Sequence, residues 1–210
     1  MRELPILFST EMVKAILDGQ KTQTRRVVKV DKPDEWEAEN NCRDSEYGAN
    51  TPCYIRRKVS TEERGIYYPH YDVGDKLYVR ETWAEGYNIR NIDDNGNIPL
   101  GYCYKASGDD ISSEFSNGKW KPSIHMPKEA ARIWLEVTDV RVERLIEITE
   151  EDAIKEGVRV GIGGMPYFSC QDAFPALWDS TIKNQDLPLY GWDANPWVWV
   201  YEFKRLEVRP

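Results

Sequence analysis

Near its end the chain runs Trp197-Val198-Trp199-Val200-Tyr201-Glu202-Phe203-Lys204-Arg205-Leu206, opening as an unbroken apolar and aromatic stretch. A strand with one wet face alternates in polarity, so a run without alternation marks a strand buried on both sides. A C-terminal segment of this kind has to sit at the centre of the fold, and earlier segments must supply its neighbours. Candidates are plain. Leu77-Tyr78-Val79-Arg80-Glu81-Thr82-Trp83 alternates, as do Ile133 to Val137 and Val140 to Leu145, while 22–30 and 99–105 read as further strands.

Helices are short. Met12, Val13, Ile16 and Leu17 fall at helical spacing behind Thr10, the expected N-cap, with Gly19 as the stop. Thr149 and Asp152 form a capping box for a second helix that Gly157 ends, and Ser169 opens a third that carries Pro175. The fold class that follows is α+β. The polar stretch 31–72 reads as an insertion, with a small hairpin of Tyr54-Ile55-Arg56 and Gly65 to Tyr68.

Chemistry concentrates in Gly19-Gln20-Lys21-Thr22-Gln23-Thr24-Arg25-Arg26. Lys21 offers a base if its pKa is lowered, Thr24 a hydroxyl nucleophile, and the two arginines forks for phosphate or carboxylate; a turn followed by a solvated edge strand is the plain alternative. In a regular strand Thr22, Thr24 and Arg26 share one side and Gln23 and Arg25 the other, so Lys21 and Thr24 have opposite parity. Their cooperation requires an irregularity after Gly19. Glu156 falls in the last turn of its helix, where the carbonyl ends disfavour a negative charge. Glu81 shares a face with apolar residues and is either paired, protonated, used in chemistry, or a strand-end glutamate in solvent. Trp120 to Pro127 is a proline-bracketed rim in which His125 is a base, a ligand donor or a packing residue.

A net charge of -8 argues against a protein that grips a long phosphate backbone, yet leaves room for a nucleoside or one flipped nucleotide. Eight Trp and twelve Tyr supply flat rings for a planar ligand as well as for a core. The four cysteines and two histidines show no paired metal-ligand spacing; the remaining grouping, Cys42, Cys53 and His70, is a poor zinc set. No signal-peptide pattern and no long apolar run are present, so the expected location is the cytoplasm and no membrane is expected as a partner.

Taken in order, Gly19-x-Lys21-x-x-Thr24-x-Arg26, Gly74-Asp75-x-Leu77, the Thr149 to Gly157 helix and Tyr201-Glu202-Phe203-Lys204 resemble the ASCH domain family, with Val79 to Trp83 and Trp120 to Pro127 similar to a larger subgroup common in phage-derived genomes. The resemblance implies a PUA-like mixed β-barrel with short peripheral helices. It also implies one domain over 1–210, with a loop and hairpin insertion at 31–72 and an extended rim at 84–130. Small bacterial members remove the acetyl group from N(4)-acetylcytidine with a lysine, a threonine and a glutamate, which maps onto Lys21, Thr24 and Glu156. Arg26, Arg80, Glu81, Trp83, Trp120, Ser123 and His125 then become substrate contacts, with no metal or cofactor. The expected partner is a small nucleoside or nucleotide, or single-stranded RNA. Since the same fold serves RNA binding and ribonucleases, a non-catalytic reader of RNA or of a modified nucleotide, or a ribonuclease, is the competing reading.

Overall fold

The computed structural model describes residues 1–30, 32–40, 53–58, 66–87, 96, 100–111, 118–159 and 169–208. In chain order the elements are β1 (Glu3–Leu7), α1 (Thr10–Leu17), β2 (Gln23–Val27), β3 (Trp36–Asn40), β4 (Cys53–Arg57), β5 (Ile66–Tyr67), β6 (Lys76–Arg80), β7 (Trp83–Tyr87), β8 (Leu100–Tyr104), β9 (Trp134–Arg144), α2 (Glu150–Lys155), α3 (Cys170–Thr181), α4 (Leu187–Tyr190) and β10 (Trp197–Leu206). The architecture is mixed α+β, with several sheets and few, short helices. Among the described residues no sheet closes on itself as a barrel, and no helix is long and apolar enough to cross a membrane. The chain divides into two compact units, one of Met1–Gly19, Lys76–Leu135 and Arg205–Pro210, the other of Gln20–Asp75 and Glu136–Lys204.

In the first unit β1 pairs with β6 in parallel, from Glu3 opposite Lys76 to Leu7 opposite Arg80. The N-cap of α1 is Ser9, whose hydroxyl accepts from Met12 N at 3.3 Å, and not the expected Thr10, which is already helical. Gly19 then takes φ 73°, a left-handed exit that a Cβ would oppose. The segment Leu77 to Trp83 is two strands, not one. Leu77, Val79, Glu81 and Trp83 are all buried, as alternation requires. The break comes where the chain changes partners: Glu81 N donates to Met126 Sδ at 3.1 Å, and Trp83 starts a hairpin in which it faces Tyr104. Trp83, Tyr104, Met126, Ala130 and Ala131 form the local core.

The second unit is built around β10, which lies between β9 and β2 as the unbroken apolar run demands. Val198, Val200, Tyr201 and Phe203 are each no more than 4% exposed. β2 pairs antiparallel to β10, with Arg26 opposite Trp199, Arg25 opposite Val200, Thr24 opposite Tyr201 and Gln23 opposite Glu202. Residues paired across a ladder share a face, so Thr24, Arg26, Trp199 and Tyr201 lie on one side and Gln23, Arg25, Val200 and Glu202 on the other. The second side is covered by α2 and α3 through Leu145, Ile148, Ala153, Phe174, Trp178, Val198 and Val200. Two expected strands merge into β9, whose burial alternation changes phase at the exposed Thr138 and Asp139.

Within 31–72, β4 and β5 pair as the expected hairpin strands, although Gly65 lies outside the described residues. β3 adds a third strand, unforeseen because Glu37, Ala38, Glu39 and Asn40 all have low strand propensity beside the buried Trp36. Asn40 clips this sheet to β9, its amide donating to Val142 O at 2.9 Å and accepting from Val142 N at 3.0 Å.

Candidate functional site

Glu156 reaches its position through helix chemistry. Thr149 Oγ1 accepts from Asp152 N at 3.1 Å and the Asp152 carboxylate accepts from Thr149 N, so the capping box fixes the start of α2. Six residues later Glu156 is the C-cap, and Gly157 at φ 87° turns the chain away. The start of β2 is stitched to that helix end: Thr22 N donates to Lys155 O at 2.9 Å, while Phe203 N donates to Thr22 O at 2.8 Å. Lys21 therefore stands beside Glu156, just outside the β2 ladder.

The contact is direct. Lys21 Nζ donates to Glu156 Oε2 at 2.7 Å and to the Glu156 carbonyl at 2.8 Å, and the two residues are 2% and 6% exposed. Burial lowers the Lys21 pKa from its usual 10.5; Glu156 opposes that shift, and Arg26 and Arg25 add to it. The other carboxylate oxygen, Glu156 Oε1, accepts from Arg25 at 3.1 Å. Arg25 also reaches Glu143 at 2.5 Å and Asp152 at 3.3 Å, and Arg141 braces both of these acids, at 3.1 Å to Glu143 and 3.0 Å to Asp152. Arg141 further holds Glu202 at 3.0 Å and the Gln23 side chain at 3.2 Å. Desolvation pushes the Asp152 carboxyl up, but Arg25, Arg141 and the Thr149 bonds outweigh it and hold the group below its usual value.

Thr24 lies on the opposite side of β2, as its parity requires, and is 1% exposed. Its hydroxyl oxygen accepts from Arg26 Nη1 at 2.8 Å, which leaves the hydroxyl proton to be given elsewhere. Burial pulls the Arg26 guanidinium down from its usual value, while Glu156, then Tyr71 and Tyr201, act against that shift. Of the three proposed reacting groups, Lys21 and Glu156 are thus in contact, and Thr24 is held by Arg26, which lies in the field of Glu156.

Arg141 and Glu143 were not singled out in the sequence, where Arg25 was read as a fork for phosphate or carboxylate without a named partner and Asp152 as a capping residue alone. A partial signal existed: Val140-Arg141-Val142-Glu143 alternates as a strand with one wet face does, and the opposite charges two residues apart on that face suit each other.

Arg80, Glu81, Trp83, Trp120, Ser123 and His125 belong to the other compact unit. Glu81 is 1% exposed and takes the paired outcome, gripped by Arg132 through two bonds of 2.9 Å. Arg80 donates to the Ile124 carbonyl, and Trp83 is buried beneath Lys121, whose Nζ is 4.6 Å from the ring centroid. Trp120 and Ser123 are half-buried and His125 is exposed.

Among the described residues no group of three acidic, histidine or cysteine side chains is placed to hold a metal. Cys42 lies outside the described residues, while Cys53 is buried and His70 N donates to Tyr201 OH at 3.1 Å. No family model, no curated protein and no solved structure matches the chain.

Proposed function

We propose that this chain is an amidohydrolase of the ASCH type, with a PUA-like core, acting on an acylated nucleoside or modified base such as N(4)-acetylcytidine. The observation that carries the reading is the buried 2.7 Å contact between Lys21 and Glu156, from positions 135 apart in the sequence. Burial favours the neutral amine of Lys21, the form that acts as a base. Lys21 takes the Thr24 hydroxyl proton as the oxygen attacks the acyl carbon, and Glu156 relays that proton to the departing exocyclic amine. Water then cleaves the threonyl ester, releasing acetate and restoring the pair. Arg26, already on Thr24 Oγ1, is placed for the oxyanion of the tetrahedral intermediate.

The test is release of cytidine from N(4)-acetylcytidine by purified protein. Lys21→Ala, Thr24→Ala and Glu156→Ala should each lower kcat/KM by about a hundredfold or more while the circular dichroism spectrum stays native. Full activity in Lys21→Ala would rule the mechanism out. The burial of Thr24, with its oxygen engaged by Arg26, favours a second reading, a module that binds a modified nucleotide without turnover. Saturable nucleotide binding without product, lost in Arg26→Ala, would select that reading.

A further inference from the structure

In the unit that holds Lys21, but sharing no residue with its cluster, a groove of about 480 Å³ opens between the chain after β2 and the α4 region. Among the described residues its lining includes Lys29, Lys32, Pro33, Leu189 and Tyr190, with two ammonium groups and no carboxylate. That sign runs against a chain of net charge -8. Lys29 is exposed and makes no ion pair among the described residues. Lys32 reaches Glu35 at 2.9 Å, but both side chains are exposed, at 69% and 41%, so an incoming anion competes with a pair worth little.

The walls are held rather than loose. Trp197 Nε1 donates to the Pro33 carbonyl at 2.9 Å on one side, and Trp178 Nε1 donates to the Tyr190 carbonyl at 2.8 Å on the other. Leu189 is 61% exposed, an apolar side chain left in water between them. The backbone adds an independent mark. Lys32 sits at φ 44° and ψ 72°, a left-handed conformation unfavourable for any residue with a Cβ and not the extended one favoured before a proline. Strain of this kind persists where the surroundings fix it, and here it sets the direction of a cation at the groove.

We propose that this groove is a binding site for a small organic anion, a phosphate or carboxylate carried on a flat or apolar body. The ammonium groups take the anion, and Tyr190, Leu189 and the two prolines Pro33 and Pro188 cover the body; the volume suits a ligand of nucleotide size. The site stands or falls separately from the chemistry at Lys21.

Isothermal titration at low salt with phenyl phosphate, cytidine monophosphate, benzoate and inorganic phosphate tests it. Saturable binding of at least one organic anion is expected, weakening as salt is added. Affinity should fall about tenfold in Lys29→Glu/Lys32→Glu and by a smaller factor in Leu189→Ser. The phosphate and carboxylate arms decide which head group is preferred. Absence of saturation with every organic probe overturns the proposal. So does binding that the double variant leaves intact, and inorganic phosphate binding as tightly as phenyl phosphate removes any role for the apolar wall. All substituted side chains in the groove are exposed, and a native thermal melt confirms that lost binding is not lost folding.

Discussion

Among the described residues two glutamates are buried beside cations, and they are held in opposite ways. Glu81 gives both oxygens to one arginine, Arg132, whose guanidinium lies 4.0 Å from the Tyr104 ring centroid and also donates to Ser107 at 2.5 Å. Each guanidinium nitrogen of Arg132 and each carboxylate oxygen of Glu81 has a partner. Burial lifts the neighbouring Tyr104 phenol to about 12, with Arg132 pulling against it. Glu156 instead divides its oxygens between Lys21 and Arg25, and Arg25 is itself shared with Glu143 and Asp152. An arginine does not release its proton in a protein, so the Glu81 pair is chemically closed. A desolvated lysine gives up its proton more readily than a solvated one, which is the property the proposed reaction asks of Lys21.

The comparison is most easily broken by deleting the cations. Arg132→Met strands Glu81, which is 1% exposed, with its bidentate partner gone, and should cost about 3–5 kcal/mol in urea unfolding. Lys21→Met takes a donor from Glu156 Oε2 and from the Glu156 carbonyl, but Arg25 still binds the carboxylate and the penalty of burying an ammonium disappears. Its cost should be about 1–2 kcal/mol, from the lost charged hydrogen bonds. Equal costs would mean that Arg25 does not support Glu156, and the proposed division of labour would fail.

How much of this the sequence carried differs between the parts. The central strand was legible because ten residues from Trp197 without early alternation admit few placements, and β10 occupies the middle of its sheet. Glu156 was legible as a misplaced charge at a helix end, and its contact with Lys21 supplies the reason. Arg25 was assigned to a side of its strand but given no partner, since Glu143 and Asp152 lie 118 and 127 positions away and local patterning does not report such distances. The opposite parity of Lys21 and Thr24 was also correct as a rule. It does not bind Lys21, which precedes the first ladder residue, Gln23.

A smaller effect follows from pH. Because the folded Lys21 pKa is below 10.5, there is a window between the two values in which the unfolded chain holds a proton that the folded chain has lost. Stability therefore rises with pH across that window, and the burial penalty is fully present below it. Relative to wild type, Lys21→Met should lack this rise in urea midpoints followed from neutral pH to 10.5. Asp152 gives a slope of the same sign at the acid end, as a stabilisation gained and not as a penalty removed. Its folded pKa is below 3.8, so its contribution is present above that value and disappears as pH falls through the lowered one. Asp152→Asn should flatten the acid limb. A Lys21→Met curve parallel to wild type would show that the amine keeps its proton throughout, and a neutral Lys21 base would have no basis.

The smallest effect separates positioning from pairing. Thr149→Ala removes the hydroxyl that accepts from Asp152 N, without touching Lys21, Arg25 or Glu156, and should cost about 1 kcal/mol. In a helix of only six residues that loss reaches the far end. The amide of Glu156, which donates to Asp152 O at 2.8 Å, should exchange faster with solvent, while the amide of Val79, bonded to Ile133 O at 3.0 Å next to Glu81, keeps its protection. Glu81 projects from the end of a strand and owes its orientation to Arg132; Glu156 projects from the end of a short helix and owes it to the helix cap. If the two amides changed together, α2 would have no separate stability, and the orientation of Glu156 would belong to the fold as a whole rather than to Thr149.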